Sequence, residues 1–345
     1  MFEGPKMWRC AMKPLSLQAR LTAQARLIAC ALCLMYVIGM PVYADDTFVP
    51  YTAAKVPKTA VALWEDYDPR NEPLDVEVVQ EWIADGVVTR YVIFTVGTFK
   101  GAQSRIAAYY CFPTGKTGLP AFVWAHGGGQ RADRHRGEYF ARQGYASIDI
   151  NWLGRPLEDE IEINTDWGNV DPTQGPRFYS KALRKGWKRS LQPDEYTIDS
   201  VPSPRNSNWF LLSVAARRGI TFLEQQPEVN ANKIGLSGFS MGGMITALTA
   251  IDTRLKAVVP FVGGTGFKYV DFPGGIEGSS IRAHFQSLEL YKATVDASSY
   301  WPFVRCPVCF ISSTNDFHSV FDRIYRSMSL VPHSKWRVST NLQQN

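Results

Sequence analysis

The chain has 345 residues, and 45% of them are apolar, which is enough for a substantial core. Its formal net charge is +5, but residues 1–44 carry five basic side chains and one acidic one, so the remainder is close to neutral at +1. This balance excludes the broad positive surface typical of proteins that bind nucleic acid, and no nucleic-acid partner is predicted.

The N-terminal segment has the three parts of a secretory signal peptide. Basic residues lead into the apolar run "LIACALCLMYVIGM", and small side chains follow at Val42 and Ala44, the positions that signal peptidase reads. Pro41 ends the apolar run before it is long enough to span a membrane comfortably. Residues 1–44 are therefore predicted to be a signal peptide, with an uncleaved anchor as the alternative. The mature chain is expected to be secreted or periplasmic, with no stable membrane span.

Apolar strands alternate with amphipathic helices through residues 45–345. The first half predicts strands in "VVTRYVIFTVGTF", "RIAAYYCFP", "LPAFVWA" and "ASIDINW", with a helix in "EYFARQ". The second half predicts helices in "WFLLSVAARRGITFLEQQPEV", "MGGMITALTAI" and "FDRIYRSMSL", and strands in "KIGLSGFS", "LKAVVPFVGG", "CPVCFISS" and "KWRVST". This order predicts one α/β domain, a mostly parallel sheet with helices on both faces. A long insertion, about residues 153–207, follows the fourth predicted strand.

The insertion is polar and rich in tryptophan. Trp152, Trp167 and Trp187 lie in or beside it, and their rings could stack on a sugar or simply pack against the domain. Its acidic run, "EDEIE" (158–162), could hold calcium, but the absence of a fixed ligand spacing favours a solvated loop. No metal or cofactor is predicted.

Three cysteines remain outside the leader: Cys111, Cys306 and Cys309. An odd number is a poor basis for a disulfide framework. "CPVC" has the spacing of a redox motif, but residues three apart on a strand point to opposite faces. We therefore predict that these cysteines are small core residues.

The sequence Gly238-Phe239-Ser240-Met241-Gly242 fits G-x-S-x-G between an apolar strand and a helix. A sharp strand-to-helix turn strains the backbone of the serine, and flanking glycines let the two elements pass closely. The helix that begins at Met241 directs N–H groups at the reaction centre. Ser240 is therefore predicted to be a nucleophile, and an idle serine in a glycine-lined turn is the alternative.

The glycine loop His126-Gly127-Gly128-Gly129 follows the third predicted strand. Bare backbone can approach a substrate carbonyl closely and donate N–H groups to a developing oxyanion. One donor is expected from Gly127 or Gly128, and the other from Met241. His126 is expected to orient the loop rather than to act as a base, and a phosphate-binding loop is the alternative.

The segment "FISSTNDF" places Asp316 just beyond a buried strand, where a carboxylate can orient an imidazole. A turn-forming Asn-Asp pair is the alternative. Asp322 is a second candidate, but it falls within the next predicted helix.

In this order, the HGGG loop, the GFSMGG turn and the SSTND segment resemble the α/β-hydrolase superfamily. The branch that they resemble most is the bacterial acetylxylan-esterase-like and dienelactone-hydrolase-like group, and the resemblance covers nearly all of residues 85–340. It implies an α/β-hydrolase fold, a Ser240 nucleophile, an Asp316 acid, and an oxyanion hole at Gly128 and Met241. Serine instead of cysteine at the turn departs from the dienelactone hydrolases proper, so the resemblance does not imply their substrate.

The triad of such an enzyme needs a histidine in the loop after the final strand. "KWRVST" is the predicted final strand, and His333 precedes it. By resemblance to the family, an Asn-His pair is expected where the chain ends at Asn345. We therefore expect a C-terminally truncated enzyme that lacks its general base and its closing helix. The other histidines lie outside the expected order: His126, His135, His284 and His318.

The predicted function is that of an exported serine hydrolase, a carboxylic esterase of acetyl or carbohydrate esters. Its expected partner is a small-molecule or carbohydrate ester. Two alternatives stay open: a prolyl-oligopeptidase-like peptidase with the same chemistry, and a non-catalytic binding protein on the hydrolase scaffold. The first hundred residues are too few to form the propeller domain of the prolyl oligopeptidases.

Overall fold

The computed structural model describes residues 46–173, 175, 181–184, 191–266, 288–316 and 319–341. The predicted signal peptide, Trp187, His284 and His318 lie outside these ranges. No helix within the described ranges is long and apolar enough to cross a membrane.

A nine-stranded sheet organises the described part of the chain. The strands are β1 (Glu77–Ala84), β2 (Val87–Phe99), β3 (Ala102–Pro113), β4 (Leu119–Ala125), β5 (Ala146–Ile150), β6 (Val229–Phe239), β7 (Ala257–Phe261), β8 (Val308–Ser313) and β9 (Trp336–Asn341). Their spatial order is β1-β2-β3-β5-β4-β6-β7-β8-β9. The pairs β1–β2, β2–β3 and β3–β5 are antiparallel, and the other five pairs are parallel. The predicted mostly parallel sheet is confirmed.

Helices cover both faces of this sheet. They are α1 (Ala60–Trp64), α2 (Arg134–Arg142), α3 (Asn208–Glu224), α4 (Met241–Thr249), α5 (Leu288–Thr294) and α6 (Phe321–Met328). Short 3-10 helices cover Ala53–Lys55, Pro204–Asn206, Ala297–Ser299 and Trp301–Phe303. Phe122 and Val123, consecutive in β4, point to opposite faces. Phe122 packs edge-on against Phe140 of α2, whereas a Cβ on Gly219 of α3 would contact Val123, so these two helices lie on opposite sides.

The helix α3 is buried along nearly its whole length, and it carries a buried arginine. Arg218 is only 1% exposed, and burial lowers its pKa. Its guanidinium donates to four backbone carbonyls: Pro69 (2.6 Å), Glu72 (2.8 Å), Pro73 (2.7 Å) and Thr95 (3.0 Å). A buried charge is tolerated when its donors are satisfied in this way. Arg218 thus attaches the chain before β1 to the middle of the domain.

Three helices and strands were not predicted from the sequence: α1, β1 and α5. The strand β1 is an edge strand whose residues are exposed or half-buried on both faces, so it lacks the alternation that marks a strand. Because β1 precedes the four predicted strands, the fourth predicted strand is β5, and the insertion follows it as predicted. The helix α5 also lies in a stretch that was predicted to be irregular.

The described part of the insertion packs down on the domain. Trp152 is fully buried and Trp167 is 5% exposed. The indole Nε1–H of Trp167 donates to the carbonyl of Trp152 at 3.0 Å. Of the two roles considered for these tryptophans, packing against the domain is therefore confirmed, and stacking on a sugar is wrong for both.

The three cysteines of the domain are free thiols. Cys111 and Cys306 are buried, and burial raises the pKa of Cys111 to about 12 and that of Cys306 to about 11. A thiol with so high a pKa is a poor nucleophile at neutral pH. The interpretation of these two as core residues holds.

Candidate active site

Ser240 occupies a strained junction between a strand and a helix. The strand β6 ends at Phe239 and α4 begins at Met241, with Ser240 between them at φ 54° and ψ −108°. A non-glycine residue in this region is strained, and such strain concentrates at functional sites. The Ser240 N–H donates to the carbonyl of Phe261 at 2.8 Å, and its hydroxyl does not cap the helix. The backbone of the half-buried serine is thus held in place, and its side chain does not cap the N-terminus of α4.

Glycines make this junction possible through close backbone packing. A Cβ on Gly238 would lie 2.4 Å from the carbonyl oxygen of Gly242, and a Cβ on Gly242 would lie 1.8 Å from that of Ala125. On the other side, a Cβ on Gly263 would lie 2.0 Å from the carbonyl oxygen of Ser240. These distances are shorter than any real Cβ contact, so only glycine fits. The glycine requirement predicted for the G-x-S-x-G turn has a direct structural cause.

The glycine loop after β4 forms a tight turn. The Gln130 N–H donates to the carbonyl of Gly127 at 3.2 Å, and Gly129 has φ 75°, which is the geometry of a type II turn with glycine at its third position. The Gly127 N–H donates to the side-chain Oε1 of Gln130 at 2.9 Å. Among the described residues, no acceptor pairs with the Gly128 N–H. Of the two glycines predicted as donors, Gly128 is therefore the better placed to receive a substrate oxygen.

His126 is buried beneath this turn and has a structural role. Its Nδ1 lies 2.8 Å from the carbonyl oxygen of Gly127, and its ring stacks on Trp152 at 4.7 Å between centroids. Burial lowers the pKa of His126 from 6.5 to about 3, so the ring is neutral. Because a carbonyl only accepts, Nδ1 carries the proton. The Trp152 indole also donates to the His126 carbonyl at 2.9 Å, which links the insertion to the glycine loop.

Asp316 lies three residues beyond β8 and is 6% exposed. Its Oδ2 accepts from the Ser312 hydroxyl at 3.1 Å, and its Oδ1 accepts from the Ser319 N–H at 3.1 Å. The second candidate, Asp322, lies in α6 with a side chain that is 71% exposed and pairs with Arg326 at 3.2 Å. Asp316 is therefore the carboxylate that the fold fixes in place.

Ser240 and Asp316 follow β6 and β8, which flank β7 in the parallel part of the sheet. Both residues therefore lie at the carboxyl edge, where open α/β sheets bind ligands. Two strand spacings separate them by roughly 10 Å before side-chain reach is counted. This gap is of the size that an imidazole with a hydrogen bond on each side could bridge.

The three described histidines do not occupy that gap. His126 contacts the glycine loop, the exposed His135 contacts Glu138 at 3.3 Å, and Nδ1 of His333 accepts from the Lys335 N–H at 3.1 Å. No hydrogen bond joins any of these three to Ser240 or Asp316.

Within the acidic run of the insertion, Glu158 forms a local ion pair, whereas Asp159, Glu160 and Glu162 are exposed. Glu158 lies 3.6 Å from Arg134 and accepts a short hydrogen bond from the Tyr109 hydroxyl. Within the described ranges, no group of three or more His, Cys, Asp or Glu side chains is arranged to hold a metal ion.

Two residues that contact the glycine loop were not predicted from the sequence. Gln130 directly follows the three glycines, and Arg155, in the insertion, donates a short hydrogen bond to the Gly129 carbonyl. The position of Gln130 beside the motif was the only available signal, and nothing in the sequence indicates Arg155.

Comparison with known proteins agrees with this geometry. Residues 175–323 match the family model described as "Dienelactone hydrolase family". The chain has the α/β-hydrolase fold. Acetyl xylan esterase from Paenibacillus sp. R4 has a TM-score of 0.61 and 14% identity, over 88% of this chain and 94% of that one. Acetyl xylan esterase 1 from Thermoanaerobacterium sp. JW/SL YS485 has a TM-score of 0.58 and 16% identity, over 88% of this chain and 93% of that one.

No curated protein matches the sequence of the chain significantly. The matched segment contains both Ser240 and Asp316 but not the glycine loop. The fold is thus shared with the two acetyl xylan esterases, and the matched segment is similar to the dienelactone hydrolase family.

Proposed function

We propose that the protein is an exported serine esterase that removes small acyl groups, acetyl above all, from alcohols or carbohydrates. The observation that carries the proposal is the backbone of Ser240, strained at φ 54° between β6 and α4. Strain of this kind is retained where the exposed nucleophile requires it. The family match at residues 175–323 and the fold of the two acetyl xylan esterases support an ester substrate.

The reaction follows from the placement of these groups. The Ser240 oxygen attacks the ester carbonyl carbon as its proton passes to a base, and the carbonyl oxygen becomes an oxyanion. N–H groups of Gly128 and Met241 donate to that oxyanion. When the carbonyl re-forms, the alcohol leaves with a proton and the acyl group stays on Ser240. Water then attacks the acyl-serine by the same route and releases the acid.

Asp316 is proposed to orient the imidazole that acts as the base. Hydrogen bonds from Ser312 and Ser319 hold the carboxylate in place. The base itself is not one of the three described histidines.

Export rests on the composition of residues 1–44, and N-terminal sequencing of secreted or periplasmic protein should begin at Asp45. The carbohydrate part of the substrate rests on the names of the two structural neighbours, since Trp152 and Trp167 are buried and cannot stack on a sugar.

A panel of substrates tests the function. Purified protein and its Ser240→Ala variant would be compared on p-nitrophenyl acetate, butyrate and octanoate, on acetylated xylo-oligosaccharides, and on aminoacyl p-nitroanilides. We expect hydrolysis that depends on Ser240 and is fastest for acetyl esters. Faster hydrolysis of the anilides would indicate a peptidase. No difference between the two proteins on any substrate would indicate a binding protein.

A further inference from the structure

Gln130 forms a closed pair of hydrogen bonds with the first glycine of the loop. Its side-chain Oε1 accepts from the Gly127 N–H at 2.9 Å, and its own N–H donates to the Gly127 carbonyl at 3.2 Å. Both polar groups of Gly127 are therefore held by one residue. The hydrogen bond from the backbone N–H would form with any residue except proline at position 130. The hydrogen bond to the side chain needs an acceptor two methylene groups from Cα, as in glutamine or glutamate.

The orientation of Gly127 decides where the next N–H points. In a trans peptide, the carbonyl of Gly127 and the N–H of Gly128 point in opposite directions. The Gly127 carbonyl is fixed on one side by the Gln130 N–H and by Nδ1 of His126 at 2.8 Å. The Gly128 N–H is therefore directed to the other side, where no described residue accepts it.

Three consecutive glycines do not keep such an orientation by themselves. Glycine has access to both signs of φ at little cost, so a three-glycine segment samples many orientations of its peptide planes. The turn also depends on Gly129 at φ 75°, and its carbonyl accepts from Arg155. Without the Gln130 side chain, the Gly127 N–H would lose its acceptor, and the peptide plane before Gly127 would keep the Trp152 contact on the His126 carbonyl but nothing on its N–H side.

We propose that Gln130 is a positioning residue for catalysis: its side-chain oxygen holds the glycine turn so that the Gly128 N–H faces the developing oxyanion. The proposal rests on the esterase function proposed above. Gln130 is exposed, whereas Gly127 is buried, so the side chain reaches inward from the surface without filling the core. Its removal should therefore change the loop more than the stability of the domain.

The test compares Gln130→Leu with Gln130→Glu. Leucine keeps the approximate size but removes the acceptor, whereas glutamate keeps an acceptor on the same stem. Gln143→Leu is the matched control, because Gln143 is an exposed glutamine at the end of α2, away from the loop. For each variant, kcat and KM on p-nitrophenyl acetate, the thermal midpoint, and inhibition by a boronic acid that forms a tetrahedral adduct on serine would be measured.

We expect Gln130→Leu to lower kcat about tenfold and to raise the inhibition constant of the boronic acid by a similar factor. Its KM should stay within about twofold of the unaltered value, and its thermal midpoint should not change. This loss is smaller than the hundredfold typical for complete removal of an oxyanion donor, because the Gly128 N–H is misaligned rather than absent. The kcat of Gln130→Glu should stay within about threefold of that of the unaltered protein, and the kcat of Gln143→Leu should equal that of the unaltered protein.

Several results would overturn the proposal. Unchanged kcat in Gln130→Leu would do so, as would equal losses in Gln130→Leu and Gln130→Glu, or a change confined to KM. Failure of Gln130→Leu to fold, when Gln143→Leu folds, would make the contact structural. If the unaltered protein shows no hydrolysis that depends on Ser240, the esterase function itself fails, and this proposal fails with it.

Discussion

The backbone of Gly242 lies so close to the carbonyl of Ala125 that a Cβ at position 242 would be 1.8 Å from that oxygen. The neighbouring atom belongs to the backbone of β4 and cannot move aside as a flexible side chain would. We expect Gly242→Ala to lower the free energy of unfolding by at least about 3 kcal/mol, or to prevent folding. Gly86→Ala is the control, because Gly86 lies in open space at φ 73° and should cost only about 1 kcal/mol. Urea denaturation measures both, and similar losses in the two variants would contradict the packing argument.

Because the backbone of Ser240 is strained, two substitutions at this position should both remove activity but differ in stability. Ser240→Ala should remove hydrolysis and leave stability unchanged, because alanine has the same difficulty at φ 54°. Ser240→Gly should remove hydrolysis and raise the free energy of unfolding by about 1 kcal/mol, because glycine adopts this φ without strain. Thermal denaturation and labelling with a fluorophosphonate check both statements. Equal stability of the glycine and alanine variants would show that the turn stores no strain.

The carboxylate of Asp316 should matter for turnover more than any neighbouring acid. Where an imidazole serves as the proposed base, we expect Asp316→Asn to lower kcat by about a hundredfold or more, because an amide orients that imidazole in the wrong tautomer. Asp322→Asn is the matched control and should have no effect, since Asp322 is exposed on α6. Steady-state kinetics on p-nitrophenyl acetate decide between them. A larger loss in the Asp322 variant would reverse the assignment.

His126 should make the protein sensitive to acid. Its folded pKa is about 3, whereas an unfolded chain takes up the proton near 6.5. Between these values the unfolded state binds one more proton, so the free energy of unfolding falls as the pH falls, by up to roughly 1.4 kcal/mol per pH unit. Burial raises the pKa of Asp149 to about 7, which makes the free energy of unfolding rise as the pH falls. Because the two groups act in opposite directions, the contribution of His126 is measured by comparing variants.

The comparison uses His126→Gln and His135→Gln. Urea denaturation from pH 7 to pH 4 should show a flatter loss of stability in the first variant than in the unaltered protein. His135→Gln controls for the loss of an exposed histidine. Parallel curves for all three proteins would mean that His126 does not titrate on unfolding.

The sequence predicted those features of the fold that depend on local pattern. The Ser240 turn, the glycine loop and the position of Asp316 after a buried strand all follow from short motifs with a fixed relation to strand ends. The strand β1 could not be predicted in this way, because exposure on both faces removes the period-two pattern.

Contacts between distant side chains were equally inaccessible. The motif indicates the backbone of Gly127 and Gly128 but not the side chain that restrains it. The hydrogen bond from the Gly127 N–H to the Gln130 side chain is known only from the structure. Arg155 and Trp152 reach the same loop from about 26 residues away in sequence. Such contacts depend on the path of the insertion, which has no periodic pattern to predict it.

The buried guanidinium of Arg218 also sets an order of events. It binds the carbonyl of Pro69, from which it is separated by 149 residues of sequence. Because a ribosome makes the N-terminal part first, the segment around Pro69 cannot complete its contacts until α3 has emerged. The contacts that join the chain before β1 to α3 therefore form only after α3 has been made. For the export proposed above, a translocation channel that accepts only unfolded polypeptide would have that interval in which to engage the segment around Pro69.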